Sequence, residues 1–154
     1  MTLEEFKEID ASVIPVGHYI SMIFRGQTQY LYHKLKKLDI NPSQLHFLLE
    51  IKHNEEINQD KIASKCNMNK GSVARSIRKL EEKDLVLRKI DDNNRRQNII
   101  SLTPKGEETL RESIEILEKW ESRVLKENEA IDEDSLKKML KEITEKTIEI
   151  NKDL

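Results

Sequence analysis

The stretch NKGSVARSIRKLEEKDLVLRKIDDNNRRQNIISLTPKG, residues 69–106, changes its hydrophobic period part-way along, and that change decides the fold. Up to residue 83 the apolar side chains Val73, Ile77 and Leu80 recur every three or four residues. At 100° per residue they share a narrow arc, which predicts a helix over about 70–83. Ser72, Arg75 and Lys79 fall on the opposite side, flanked by Gly71 and Arg78, and Asn69 is placed to cap the first turn. After Asp84 the period shortens. Leu85 to Ile90 and Gln97 to Leu102 are β-capable runs with partial alternation, separated by the polar stretch Asp91 to Arg96. The pattern predicts a β-hairpin with Arg95 and Arg96 at its tip.

Upstream, Asn58 reads as the cap of a short helix with Ile62, Ala63 and Cys66 on its inner face. Asn67 then supplies a residue that tolerates the left-handed conformation of a tight turn. A short helix, a tight turn, a helix with a basic outer face and a basic-tipped hairpin make a winged helix-turn-helix. Before it, Asn41, Pro42 and Gln44 mark the start of a helix over about 42–53 that buries Leu45, Leu48 and Leu49. Val13, Val16, Ile20, Ile23, Phe24, Leu31, Leu35 and Leu38 step by three, four or their multiples, predicting one long helix from about 12 to 38.

Downstream, Thr103 and Pro104 signal the next helix, about 104–128, with the stripe Leu110, Ile114, Leu117, Trp120, Val124 and Leu125. A break around Asn128 to Ile131 precedes a last helix capped by Asp132, whose stripe is Leu136, Met139, Leu140, Ile143, Thr147 and Ile150. The first and the last two long helices carry more apolar surface than a small winged domain can cover. They are expected to pack against a second copy of the chain, making a homodimer; the alternative is an intramolecular bundle of these three helices. The expected fold class is mainly α with a small β-hairpin wing. In it, residues 1–154 form a single domain, with about 12–40 and 104–154 as dimerisation helices and about 41–103 as the winged helix-turn-helix.

Charge is distributed unevenly. The formal net charge is −2, yet residues 60–105 hold 12 Lys/Arg against 6 Asp/Glu and residues 106–154 hold 9 against 15. A basic middle segment is the footprint expected of a phosphate-backbone partner, and its bland alternative is a solvated charged face. The single cysteine, Cys66, excludes an intramolecular disulfide framework and fits a reducing cytosol. The start, MTLEEFKEID, lacks a basic region followed by an apolar stretch, and no apolar run approaches the roughly 20 residues of a membrane span. A soluble, cytoplasmic protein with no membrane partner is expected. His18, His33, His46 and His53 are dispersed, so no metal site is expected. Nor is any cofactor or catalysis expected, since no phosphate-cradling Gly-rich loop, nucleophile elbow or paired-histidine motif is present.

At Ser72 through Gly106 the chain resembles the MarR family of dimeric winged helix-turn-helix transcription regulators. The residues that carry the resemblance are Ser72 opening the second helix, Leu80-Glu81 near its end, Leu85-Val86 on the first strand, Asn94-Arg95-Arg96 at the wing and Thr103-Pro104-Lys105-Gly106 after it. Two departures stand out. Asp84 occupies a helix C-cap where the family usually has Gly, and Asn94 replaces the commoner Asp of the wing, leaving Asp91 or Asp92 to hold a wing arginine.

The resemblance implies that the second helix enters the major groove of double-stranded DNA and that the wing reaches the adjacent minor groove. Ser72, Arg75, Arg78 and Lys79 are then the major-groove candidates, with Asn69, Lys70 and Ser76 beside them. Arg96, supported by Arg95, is the minor-groove candidate, because a guanidinium is drawn into a narrow A·T-rich groove. Ser43, in the first turn of the helix after Asn41, is a phosphate candidate. The resemblance further implies a homodimeric repressor on a pseudo-palindromic operator, released by a small aromatic or phenolic effector. Tyr19, Phe24, Tyr30, Phe47, His18 and Arg25 are of a suitable kind for such a pocket, yet core packing explains them as well, and no pocket residue is assigned. Cys66 is read as a small packing residue rather than a peroxide-sensing thiol. The alternatives are a winged helix used for protein contact and an effector-free DNA-architectural factor.

Overall fold

Helix starts follow the caps that the sequence announces. In the computed structural model, which describes residues 1–54, 56–152 and 154, Asn41 caps α3 (Pro42–His53) through a reciprocal box. The Gln44 N–H donates to Asn41 Oδ1 at 2.9 Å, and the Asn41 N–H donates to Gln44 Oε1 at 3.1 Å. Asn58 caps α4 (Gln59–Lys65), and Asn69 caps α5 (Lys70–Glu82) by accepting from Ser72 N–H at 2.8 Å. Asp132 caps α7 (Glu133–Asn151). Asn67 and Asp84 both take the left-handed conformation expected of them, at φ 49° and 57°.

At the N-terminus the structure departs from the expected 12–38 helix. A short α1 (Leu3–Lys7) is capped by Thr2, a single 3-10 turn spans Ala11–Val13, and α2 runs only from Val16 to Leu35 before tightening into a 3-10 turn over Lys36–Leu38. Pro15 is the cause. Its ring drives the preceding Ile14 to φ −92°, ψ 123°, so the helix cannot extend upstream. Val13 therefore lies outside the helix whose stripe it was expected to join.

The chain divides into two compact units, Met1–Ile116 and Leu117–Leu154. In the first, a three-stranded antiparallel sheet in the order β1-β3-β2 comprises β1 (Ile57–Asn58), β2 (Val86–Asp91) and β3 (Asn94–Leu102). β1 was not expected; at two residues it is too short to leave a periodicity. It pairs Ile57 with Ile100, and these two side chains are buried beside Leu35, Phe47, Leu48, Ile62, Val73, Ile77 and Leu80. Leu49, expected in this core, is only half-buried, while Phe47 and Ile51 turn inward from α3.

The hairpin also differs from its expected outline. β3 starts at Asn94, so the turn is Asp92-Asn93 and the two arginines belong to the strand rather than to a six-residue loop. The ladder runs regularly from Val86↔Leu102 to Ile90↔Asn98, then slips to Asp91↔Asn94, leaving residues 95–97 without partners opposite. Such a bulge re-aims side chains at the end of a hairpin.

α6 (Pro104–Glu121) begins at the cap Thr103, whose Oγ1 accepts from Gly106 N–H at 2.9 Å. Its buried face within the first unit is Gly106, Thr109, Leu110, Ser113 and Ile116, whereas Ile114 is exposed. The expected stripe shares only Leu110 with this face, because Gly106, Thr109 and Ser113 are small or polar; Ser113 satisfies its hydroxyl by donating to Thr109 O at 2.7 Å. In the second unit α6 ends in a π-helical turn, Ser122–Lys126, and α7 follows. Lys137 bridges Glu121 and Glu133 there, and α7 buries no residue. Among the described residues no helix is long and apolar enough to cross a membrane.

Candidate nucleic-acid interface

α5 is divided lengthwise. Val73, Ile77 and Leu80 are fully buried on one side, while Gly71, Arg75, Arg78 and Lys79 are exposed and Ser72 and Ser76 half-buried on the other. This helix is anchored through its apolar row, and its basic row is free to meet a partner. Arg75 is steadied along the helix, donating from Nη2 to Ser72 Oγ at 3.1 Å. Arg78 donates to Glu82 at 3.2 Å and Lys70 to Asp60 at 3.1 Å, both in exposed pairs that a phosphate can compete for. Among the described residues the side chain of Lys79 forms no hydrogen bond or ion pair. Asn69 uses its side-chain oxygen as the helix cap, so it holds the end of α5 that the turn from α4 presents.

Ser43 is exposed in the first turn of α3. Asn41 has taken the Gln44 N–H and Pro42 has none, which leaves the Ser43 amide and hydroxyl as the polar groups at that helix start. On the wing, Arg95 and Arg96 are exposed within the bulge. Neither Asp91 nor Asp92 pairs with them among the described residues. Asp91 instead accepts from the Asn93 N–H at 2.8 Å, and Asn94 accepts from the Arg96 N–H at 3.2 Å, so these side chains shape the turn and, among the described residues, do not engage either guanidinium group.

A cluster that the sequence reading passed over lies at the base of the wing. Arg88 of β2 donates from Nε to Glu81 Oε1 at 2.8 Å and from Nη2 to Glu81 Oε2, while Nη1 donates to Gln59 Oε1 at 3.2 Å. The bidentate bond to Glu81 holds the guanidinium pKa further above its ordinary value, against the opposing effect of burial. The seven-residue separation of Glu81 and Arg88 crosses a helix end and a turn, and no helical or strand spacing would have flagged it.

Cys66 is half-buried at the end of α4, and burial, reinforced by the charge of Glu50, pushes its thiol pKa up. That environment suits packing and opposes a reactive thiolate. A groove of about 560 Å³ between the start of α4 and the wing is lined by polar groups, among them Asn58, Asp60, Lys61, Asp91 and Gln97. Of the aromatic residues considered for a ligand, Phe47 is 1% exposed and belongs to the core, whereas Phe24 stands 66% exposed on α2.

A model of the MarR family matches residues 40–97, from the start of α3 to the wing. That segment of the chain is thus similar to the MarR family. The chain is 29% identical over 108 residues to the HTH-type transcriptional regulator BilQ of Clostridium symbiosum, a match covering 70% of this chain and 75% of that protein. A crystal structure of MarR superposes with a TM-score of 0.83 at 28% identity, covering 96% of this chain and 99% of the other. A MarR transcriptional regulator from Methanosarcina mazei Go1 superposes with a TM-score of 0.78 at 26% identity, over 88% and 97% of the two chains. The divided face of α5 lies within the residues matched to the MarR family.

Proposed function

We propose that the protein is a homodimeric repressor that reads a pseudo-palindromic operator. In this reading α5, about residues 70–83, enters the major groove and the wing, about 91–96, enters the adjacent minor groove. The observation that carries it is the lengthwise division of α5, with Arg75, Arg78 and Lys79 exposed opposite three fully buried aliphatic side chains. Arg75 and Arg78 have the fork geometry for guanine O6 and N7, Lys70, Lys79, Ser72, Ser76 and Asn69 suit phosphates and base edges around them, and Ser43 suits a phosphate from α3. Arg96, with Arg95, suits a narrow minor groove.

The homodimer is supported by apolar faces that the single chain leaves bare. Val16, Ile20, Ile23 and Phe24 line one side of α2 at 42–66% exposure, and Met139, Leu140 and Ile143 do so on α7. Rows of this kind at helical spacing are covered by a partner in soluble proteins, and a second copy supplies the two-fold symmetry of a palindrome. Residues of about 12–40 and 104–154 are the dimerisation segments, and about 41–103 the DNA-reading segment. Release by a small aromatic or phenolic effector follows from the family resemblance, and a regulator of this kind works in the cytoplasm, where the DNA is.

Selection of bound duplexes from a random pool at moderate salt tests this reading. Wild-type protein should enrich a pseudo-palindrome with half-sites about one helical turn apart, and Arg96→Ala should bind it more weakly. Equally weak binding by both, with no enrichment, would favour a winged helix used for protein contact. A thermal-shift series with aromatic carboxylates that produced no stabilisation would favour the effector-free architectural factor.

A further inference from the structure

We infer that Arg88 is a positioning residue, a clamp that sets the wing against the recognition helix, and that the Glu81–Arg88–Gln59 cluster thereby determines how well the wing arginines meet the minor groove. The inference rests on the DNA-reading role proposed above. Arg88 sits on β2, the strand that leads into the hairpin turn, opposite Ile100 of β3. Glu81 belongs to the last turn of α5, and Gln59 is the first residue of α4. One guanidinium therefore joins three elements: the helix that carries the major-groove candidates, the helix before it and the strand that carries the wing.

The geometry favours a clamp over an incidental surface pair. Both oxygens of Glu81 are engaged by two nitrogens of Arg88, and a third nitrogen goes to Gln59. The two side chains are only 33% and 26% exposed, whereas the remaining ion pairs of the DNA-facing elements, Lys70–Asp60 and Arg78–Glu82, are at least half exposed on both sides. A planar fork with matched acceptors fixes orientation as well as distance, which a lysine at the same place would not do. The wing needs such a fixture, because its other ties at that level, the two-residue pairing of β1 with β3 and the bond from Asn58 Nδ2 to Gln97 Oε1 at 2.8 Å, involve no residue of α5. With its guanidinium spent on Glu81 and Gln59, Arg88 has no fork left for DNA, although its positive charge would otherwise suggest a direct contact.

The test compares Glu81→Gln, Arg88→Ala, the double variant and the charge-reversed pair Glu81→Arg/Arg88→Glu, each also in an Arg96→Ala background. The probe is the duplex enriched by the wild-type protein, titrated over a range of salt, with thermal midpoints to identify any variant that fails to fold. A clamp predicts that Glu81→Gln and Arg88→Ala each weaken binding about 5- to 30-fold and that their combination is no worse than either. It also predicts that the reversed pair recovers most of the loss, and that the effect nearly vanishes once Arg96 is already alanine. Direct phosphate contact by Arg88 predicts the reverse: Arg88→Ala weakens binding and reduces the salt slope by about one, while Glu81→Gln leaves affinity unchanged or raises it. That pattern, or neutrality of both single variants, overturns the clamp. Failure of the wild-type chain to enrich any duplex overturns the DNA-reading role itself, and the clamp with it.

Discussion

A methyl group on Gly106 would place its carbon 2.0 Å from the carbonyl oxygen of Leu85. The first turn of α6 is pressed against the start of the wing at this point, and three hydrogen bonds hold it there. The Thr103 N–H donates to Leu85 O at 3.1 Å, the Thr103 hydroxyl donates to Asp84 O at 2.6 Å, and the Gly106 N–H donates to Thr103 Oγ1 at 2.9 Å. Thr103 thus caps α6 and ties it to the turn that follows α5 at once, and Gly106 is required for space alone. Gly106→Ala should destabilise the protein by about 3 kcal/mol or more, because the obstructing atom is backbone and cannot swing aside. Urea denaturation measures it; a change under about 1 kcal/mol would mean that the helix start can shift at little cost.

Asp84 lies at the other end of the same contact. It follows α5 in the left-handed region at φ 57°, a conformation in which a Cβ is strained. The carboxylate is exposed, and its recorded bonds are made by backbone groups. Asp84→Gly should therefore raise stability by about 0.5–1 kcal/mol, the relief of strain exceeding the entropy gained by the unfolded chain. A lowered thermal midpoint would show that the aspartate contributes an interaction that outweighs its strain.

Much of this architecture was legible because it is local. Caps at Asn41, Asn58, Asn69, Thr103 and Asp132 are decided by residues two or three positions away, and the row Val73, Ile77 and Leu80 by a single helical period. What the sequence hides is what depends on pairing across distance. β1 exists only because Ile57 meets Ile100 of β3. The bulge at residues 95–97 arises from a slip in register that neither strand shows alone. The buried face of α6 includes Thr109 and Ser113, which a search for apolar spacing discards. The Glu81–Arg88 pair joins residues whose separation matches no regular period. Of the candidate DNA residues, which the family resemblance suggested, Arg75, Arg78 and Lys79 lie on the exposed side of α5, whereas Ser43 lies on α3 and Arg95 and Arg96 on the wing.

Arg75 and Lys79 share that exposed side, yet they should fail differently. Arg75 is oriented by Ser72 Oγ and offers a fork suited to one base, so Arg75→Ala should cost about 1–3 kcal/mol, a 5- to 150-fold loss, and relax preference at one position of each half-site. Lys79 is a point charge with no fixed partner. Lys79→Ala should weaken binding to all duplexes alike and lower the salt slope by about one. Repeating the duplex selection with each variant separates base reading from phosphate binding; an unchanged motif with Arg75→Ala would reassign that residue to the backbone.

Cys66 provides a pH test, and as the only cysteine it reports without ambiguity. Burial and the charge of Glu50 raise its thiol pKa, so the folded state holds the proton more tightly than the unfolded chain does. Alkylation of native protein should be slower than that of the denatured chain near neutral pH, with a midpoint displaced to higher pH. By linkage, this group's stabilising contribution is complete below the unfolded thiol pKa and is lost as pH rises through the folded one. Alkylation of the native protein as fast as that of the denatured chain would contradict this environment.

Ile23 distinguishes a dimer from a chain that tolerates bare apolar helices. It is 56% exposed on α2, between Ile20 and Phe24 in the same row. If a second copy covers that row, Ile23→Glu buries a carboxylate without a partner, at a cost of several kcal/mol per interface. The variant should sediment as a monomer at micromolar concentration where the wild type is a dimer. Its winged unit should stay folded, because the core of Leu35, Phe47, Ile77 and Ile100 is untouched. DNA affinity should fall far more than for Lys79→Ala, since each monomer then holds one half-site alone and loses the gain from linked binding. A wild-type chain that sediments as a monomer would instead leave the row to a different partner, and Ile23→Glu would then change neither mass nor DNA binding.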